Sequence, residues 1–144
     1  MILADEEATF STGAALARVV RSGDVITVSG PLGVGKTALA RGFLAALGHE
    51  GEVPSPSFAI VQPYDDLDPP VWHVDLYRID DPNEIEELGL DATADGVALI
   101  EWPERAGAGM WPEALTLSLE FGTDSGRILT AKVPPSWVGR WPPP

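Results

Sequence analysis

Apolar residues at Ala8, Ala15, Leu16, Val19 and Val20 recur at helical spacing behind Asp5 and the acidic pair Glu6-Glu7. Asp5 suits an N-cap, so the pattern predicts an amphipathic helix that stops by Gly23. Val25 to Val28 is a short β-branched run, the composition of a strand. A glycine-rich stretch, Gly30 to Gly35, follows, and KTALARGFLAAL then carries Leu39, Phe43, Leu44 and Leu47 at helical spacing, with Gly48 placed to end that helix. The opening third therefore reads as helix, strand, glycine loop, helix.

Further on, VPSPS (53–57) is expected to be an extended loop, and Phe58 to Val61 has the composition of a strand. DDLDPP (65–70) predicts a turn, and VWHVDL (71–76) a second strand able to pair with the first as a hairpin. PNEIEEL (82–88) looks like a short helix stopped by Gly89. VALIEW (97–102) is almost continuously apolar, as expected of a strand buried on both faces of a sheet. Leu115 to Phe121 and Ile128 to Val133 alternate and predict a late hairpin around Thr123 to Gly126. The chain beyond Pro134 interleaves prolines with Trp137 and Trp141 and is expected to lie extended on the surface or to be disordered. The organisation is thus one domain over 1–133 and a tail over 134–144.

Composition narrows the functional classes. At 144 residues the chain has the size of one domain. Its 22 acids against 9 bases, a formal net charge of −13, weigh against independent binding of RNA or DNA, which rests on phosphate neutralisation by Lys and Arg. With no cysteine and two histidines, His49 and His73, thiolate metal centres and His-rich cages are excluded, while a hard cation held by oxygens stays open. The start, MILADEEAT, has no basic region before an apolar stretch, and no apolar run approaches the length of a membrane span; a cytoplasmic protein without membrane contact is expected.

The chemistry concentrates in one motif. Gly30, Gly35, Lys36 and Thr37 satisfy G-x-x-x-x-G-K-[ST], the phosphate-binding P-loop, with the required strand before and helix after. At this composition the pattern arises by chance in roughly two or three chains per thousand. In such a loop backbone N–H groups wrap a diphosphate at the positive end of the helix, Lys36 reaches the β/γ-phosphates and the Thr37 hydroxyl goes to Mg²⁺. A carboxylate at the end of a buried strand is also needed. Glu101 ends VALIE, and the alternative to a metal role is an acid pointing into solvent. Asp75 ends VWHVD and is open to pairing with Arg78 or capping the turn before Asp80 instead. His73 falls on the same side of its strand as Asp75, within reach of the site or else as a half-buried structural histidine. The guanine motif N-K-x-D is absent, since the one asparagine, Asn83, precedes Glu84, so ATP is the expected nucleotide.

Taken together, these segments resemble the TsaE (YjeE) family of small bacterial ATPases needed for threonylcarbamoyladenosine modification of tRNA. Glu6-Glu7-Ala8-Thr9 is similar to its E-x-x-T segment, Gly30 to Thr37 to its G-D-L-G-A-G-K-T loop, and Arg41-Gly42 follows as in the family. Ser55-Pro56-Ser57-Phe58 resembles the S-P-T-[FY] switch-like loop, His73 to Arg78 the H-x-D-L-Y-R strand end, and Glu101 to Glu104 the E-W-P-E segment. The resemblance implies Mg²⁺-dependent hydrolysis of ATP to ADP in a cytoplasmic complex with TsaB–TsaD, tRNA being met only through those partners. It further implies that Thr37 and Glu101 bind Mg²⁺, with Asp75 at the metal or ordering the attacking water, and that Thr9 lies near the base and Trp102 beside the nucleotide. Leu32, Gly33, Val34, Gly35, Lys36, Thr37 and Ala38 form the loop contacts, Lys36, Asp75 and Glu101 the catalytic group. Arg127 is a further candidate for nucleotide contact, against a solvated hairpin arginine.

The chain departs from the family at Pro31 and Val34, where Asp and Ala are usual; proline has no N–H to offer a phosphate. Ser57 and Ala59 replace two threonines. Two rival functions share the P-loop: a small-molecule kinase, which needs an acceptor site and a lid, and a nucleotide-gated binding module in which turnover is incidental. The fold expected throughout is a single-domain α/β P-loop NTPase, with a central mixed sheet flanked by helices, largely parallel near the nucleotide, and antiparallel hairpins.

Overall fold

The computed structural model describes residues 1–53, 61–81, 83–85, 95–107 and 110–143. The switch-like loop around 55–59 and most of the helix expected over 82–88 lie outside them. Strand β1 (Ile2–Leu3) is followed by helix α1 (Glu6–Ala17), strand β2 (Val25–Ser29), helix α2 (Lys36–Ala46) and strands β3 (Val61–Tyr64), β4 (Val71–Asp75), β5 (Val97–Glu101), β6 (Leu115–Phe121) and β7 (Arg127–Lys132). Among the described residues these strands form one sheet of order β1-β7-β6-β2-β5-β4-β3. Its centre is parallel, β2 lying between β5 and β6 and β5 pairing with β4. The edges are the two antiparallel hairpins, β3–β4 and β6–β7, with β1 added outside β7.

The α1 cap forms as the sequence predicts, Asp5 accepting a 2.8 Å bond from the Ala8 amide. The helix stops at Ala17, short of the expected Gly23, but Val19 and Val20 still pack on the core. Strand β5 is buried at every position, as its unbroken apolar run requires. Its period of two divides the core: Val97 and Leu99 join the cluster containing Leu39 and Phe43 of α2, while Ala98 and Ile100 face a second cluster with Val74 and Leu76. Glu101 and, on β4, His73 and Asp75 share the parity of the α2-facing residues.

The two helices meet at van der Waals contact through glycines. A Cβ on Gly13 would lie 2.0 Å from the Leu39 carbonyl oxygen, and one on Gly42 1.9 Å from that of Phe10. The glycines thus cost helix propensity but allow the backbones of α1 and α2 to touch, which brings the start of α1 beside the glycine loop.

Residues 134–143 correct the expectation of a loose tail. A 3-10 turn at Pro135–Trp137 drives the Trp137 side chain into the main core, where it is 0% exposed. Arg140 stacks 4.0 Å over that ring and donates to both carboxylate oxygens of Asp24, at 2.7 and 3.1 Å, and to the Val19 carbonyl at 2.9 Å. The prolines deny this segment a helix or strand without denying it packing. It ties the end of α1 to the residue before β2, the strand that leads into the glycine loop. Trp137→Ala should therefore cost about 3–5 kcal/mol of stability in urea unfolding; a change under ~0.5 kcal/mol, the range of surface substitutions, would mean that the segment is dispensable to the fold.

Candidate nucleotide-binding site

Strand β2 ends at Ser29 and the loop turns back at once into α2, whose cap, Gly35, has φ +114°. Side chains rarely take that conformation, so the spacing of this glycine from the helix start is a backbone requirement. The loop crosses the C-terminal end of β2, where N–H groups at the start of α2 create a positive partial charge. Lys36 is buried, and its Nζ donates to the carbonyls of Gly30 at 2.6 Å and Pro31 at 2.9 Å. Pro31 therefore contributes a carbonyl oxygen, a role its missing N–H leaves intact. Burial pulls the Lys36 ammonium below its ordinary pKa, against the opposing charges of Glu101, Asp75 and Glu104.

Across from the loop, parallel pairing sets Asp75 directly opposite Glu101. Both are buried, so Glu101 is not the solvent-facing acid that the sequence left open. Asp75 Oδ1 accepts the Tyr77 amide at 2.8 Å, closing a tight turn, while the residue still lines the cavity. Glu101 Oε2 lies 2.6 Å from Nε2 of His73, itself fully buried, which places His73 at the acid and not in a merely structural pocket. Beyond β5 the chain turns through Trp102, held at φ 59°, ψ 48°, and this left-handed residue carries its indole over the Lys36 ammonium at 4.4 Å and against Tyr77 at 4.9 Å.

These groups surround a cavity of about 340 Å³. Leu32, Gly33, Gly35, Lys36, Thr37 and Ala38 line it from the loop and α2, and Asp75, Glu101 and Trp102 from the strand ends. Thr9, Val34 and Arg127 line instead a smaller hollow of about 140 Å³, with Glu6, Gly33 and Gly35 bordering both spaces. Arg127 is neither free in solvent nor in the main cavity: its Nε donates to the Val34 carbonyl at 2.8 Å and its guanidinium stacks 4.7 Å over Phe121. It braces the loop from β7. The sequence reading did not place Glu6, Arg41 and Tyr77 at the cavity. Arg41 had a signal, since four residues beyond Thr37 on a helix puts it one turn along the same face.

The donor set suits a hard cation. Thr37, Asp75 and Glu101 offer only oxygen, and no group of three His, Cys, Asp or Glu side chains able to hold a metal occurs among the described residues. Mg²⁺ is bound in this manner, by one or two carboxylates with water and phosphate completing the octahedron.

The architecture and this site define an α/β fold of the P-loop kind. Over residues 3–129 the sequence matches the family model described as "Threonylcarbamoyl adenosine biosynthesis protein TsaE". The chain is 38% identical over 107 residues to the tRNA threonylcarbamoyladenosine biosynthesis protein TsaE of Haemophilus influenzae, covering 72% of this chain and 67% of that one. Identity to the Bacillus subtilis protein of the same name is 38% over 116 residues, covering 79% and 72%. The crystal structure of YdiB from Bacillus subtilis superposes with a TM-score of 0.77 at 30% identity, covering 91% of this chain and 82% of that chain. The chain belongs to the TsaE family of threonylcarbamoyladenosine biosynthesis. No helix among the described residues is long and apolar enough to cross a membrane.

Burial raises the Asp75 carboxyl above the usual carboxylate range, the Glu101 charge adds to the rise, and the Tyr77 amide opposes it. A folded pKa above the unfolded one means that the native state holds this proton more tightly, so ionised Asp75 costs stability at neutral pH and the cost fades as pH falls through the folded pKa. Asp75→Asn keeps an acceptor for Tyr77 and removes the charge. Its melting temperature without metal or nucleotide should exceed that of the parent at neutral pH, and the difference should shrink on acidification; a gap that stays constant with pH would contradict this account.

Proposed function

We propose that the chain is an ATPase that serves tRNA threonylcarbamoyladenosine modification, binding ATP with Mg²⁺ and working with the TsaB–TsaD pair in the cytoplasm. The observation that carries this reading is the convergence of Lys36, Thr37, Asp75 and Glu101, from three separate elements, on one cavity at the mouth of the glycine loop. Loop amides and the start of α2 cradle the diphosphate. On entry of the nucleotide, Lys36 exchanges the carbonyls of Gly30 and Pro31 for phosphate oxygens, where its charge is needed as the γ-phosphoryl group departs. Thr37 and Glu101 would hold Mg²⁺, which would supply positive charge against the phosphates. Asp75, on the strand beside Glu101, orders the attacking water or shares the metal. Trp102 flanks the nucleotide, and Thr9 marks the side of the base. The net charge of −13 fits a protein that leaves tRNA contact to its partners.

Arg78, which borders the cavity, is the candidate finger within the chain, and a partner is the other source; with a partner completing the site, the ATPase is expected to be slow alone and faster with TsaB–TsaD. Lys36→Ala should weaken ATP binding and lower turnover by about 10²–10³-fold, the scale of losing one charge-stabilising donor. Glu101→Gln should bind ATP, fail to release phosphate, and fail to support tRNA modification in a reconstituted system. Full modification by Glu101→Gln would favour the nucleotide-gated binding module, and phosphate appearing on a small acceptor would favour the kinase.

A further inference from the structure

We propose that His73 is a positioning residue for Glu101: it fixes one oxygen of the carboxylate so that the other is presented to a hard cation in the cavity. The inference rests on the metal-and-nucleotide reading of the site. His73 is 0% exposed and Glu101 3%, so their 2.6 Å contact is shielded from water and is short for a hydrogen bond between nitrogen and oxygen. The strand pairing makes the contact diagonal. His73 is level with Leu99, and Glu101, two residues further on, faces the same side. His73 thus reaches Glu101 from behind, while the cavity is lined by Glu101 and not by His73.

The other ring nitrogen decides the direction of the bond. Nδ1 is buried and has no hydrogen-bond partner among the described residues. A hydrogen there would be a buried donor without an acceptor, whereas a bare lone pair is the smaller loss, so the hydrogen belongs on Nε2 and is donated to Glu101. Glu101 Oε2 is thereby committed, and Oε1 is left for a ligand. A glutamate without this tether has further rotamers, including ones that turn toward the Lys36 ammonium. Mg²⁺ tolerates little departure from octahedral geometry, and groups that orient its ligands commonly change metal affinity by about 10–100-fold.

The test uses His73→Met and His73→Gln, two unbranched side chains of similar size of which one keeps an N–H donor. Affinity for a fluorescent ADP is measured in EDTA, and Mn²⁺ binding to the ADP complex is followed by electron paramagnetic resonance. Both variants should bind ADP in EDTA within about two-fold of the parent, since His73 is outside the cavity. Mn²⁺ affinity should fall about 10–100-fold in His73→Met and recover in large part in His73→Gln. Equal Mn²⁺ affinity in parent and His73→Met overturns the proposal and leaves the metal site standing. A parent that binds no Mn²⁺ with ADP overturns the site reading and this proposal together. Should His73→Met fail to fold, nitrogen-15 spectra of the parent decide: with two histidines, His49→Gln assigns the remaining signals, and a hydrogen found on Nδ1 of His73 overturns the proposal.

Discussion

Two carboxylates held side by side in a buried place are the constraint around which this site is organised. The pairing of β4 with β5 sets Asp75 opposite Glu101, and neighbouring residues of a parallel ladder cannot separate without breaking the strands. Like charges at that spacing, away from water, repel more strongly than they would at the surface. The molecule answers with hydrogen-bond partners and a cation: the His73 ring beside Glu101, the Tyr77 amide on Asp75, and the Lys36 ammonium across the cavity. Lys36 is itself turned toward two loop carbonyls, so the negative charge of the strand ends is only partly met. On the proposed reading, a cation arriving with a nucleotide would complete the balance.

The glycine loop is held by elements far from it in sequence. The contact of α1 with α2 at Gly13 and Gly42 places Thr9 against Gly35, where a Cβ would lie 3.5 Å from the threonine methyl. Arg127 reaches from β7 to the Val34 carbonyl on the outer side. The C-terminal segment secures the other end of β2, through Arg140 and Asp24. A loop that must present N–H groups to phosphates at hydrogen-bond precision gains from such bracing, because its glycines supply no side-chain packing of their own.

How much of this was legible in the chain follows from where each interaction is written. α2 and β5 announce themselves by local pattern, helical spacing in one and an unbroken apolar run in the other, and the P-loop is a contiguous motif with flanks that agree. Asp75 and Glu101 were visible as strand-end acids, but their adjacency depends on strand order, which no single segment encodes. The same holds for the bond between His73 and Glu101, whose partners are 28 residues apart. β1 has two residues, too few to show a period, and is a strand because β7 offers it an edge. Gly13 and Gly42 look like flaws in their helices until the two backbones are seen to touch. The segment after Pro134 misled for a related reason: proline-rich composition speaks to regular hydrogen bonding, whereas the burial of Trp137 is a matter of shape.

The overall charge and the local charge of the site pull in opposite directions, and their difference separates two kinds of recognition. A surface carrying −13 repels polyanions at long range, and salt screens that repulsion within about 10 Å at 0.1 M. A nucleotide inside the cavity would meet something else at contact distance: amides at the start of α2, the Lys36 ammonium, and the carboxylate oxygens of Asp75 and Glu101. On the proposed reading, Mg²⁺ carried by the nucleotide would lower the charge that must cross the acidic surface and supply a counter-charge to Asp75 and Glu101. Acidic strand ends of this kind would favour the metal complex of a nucleotide over the bare anion, while a tRNA, with many phosphates and no comparable cradle, would meet only the long-range repulsion.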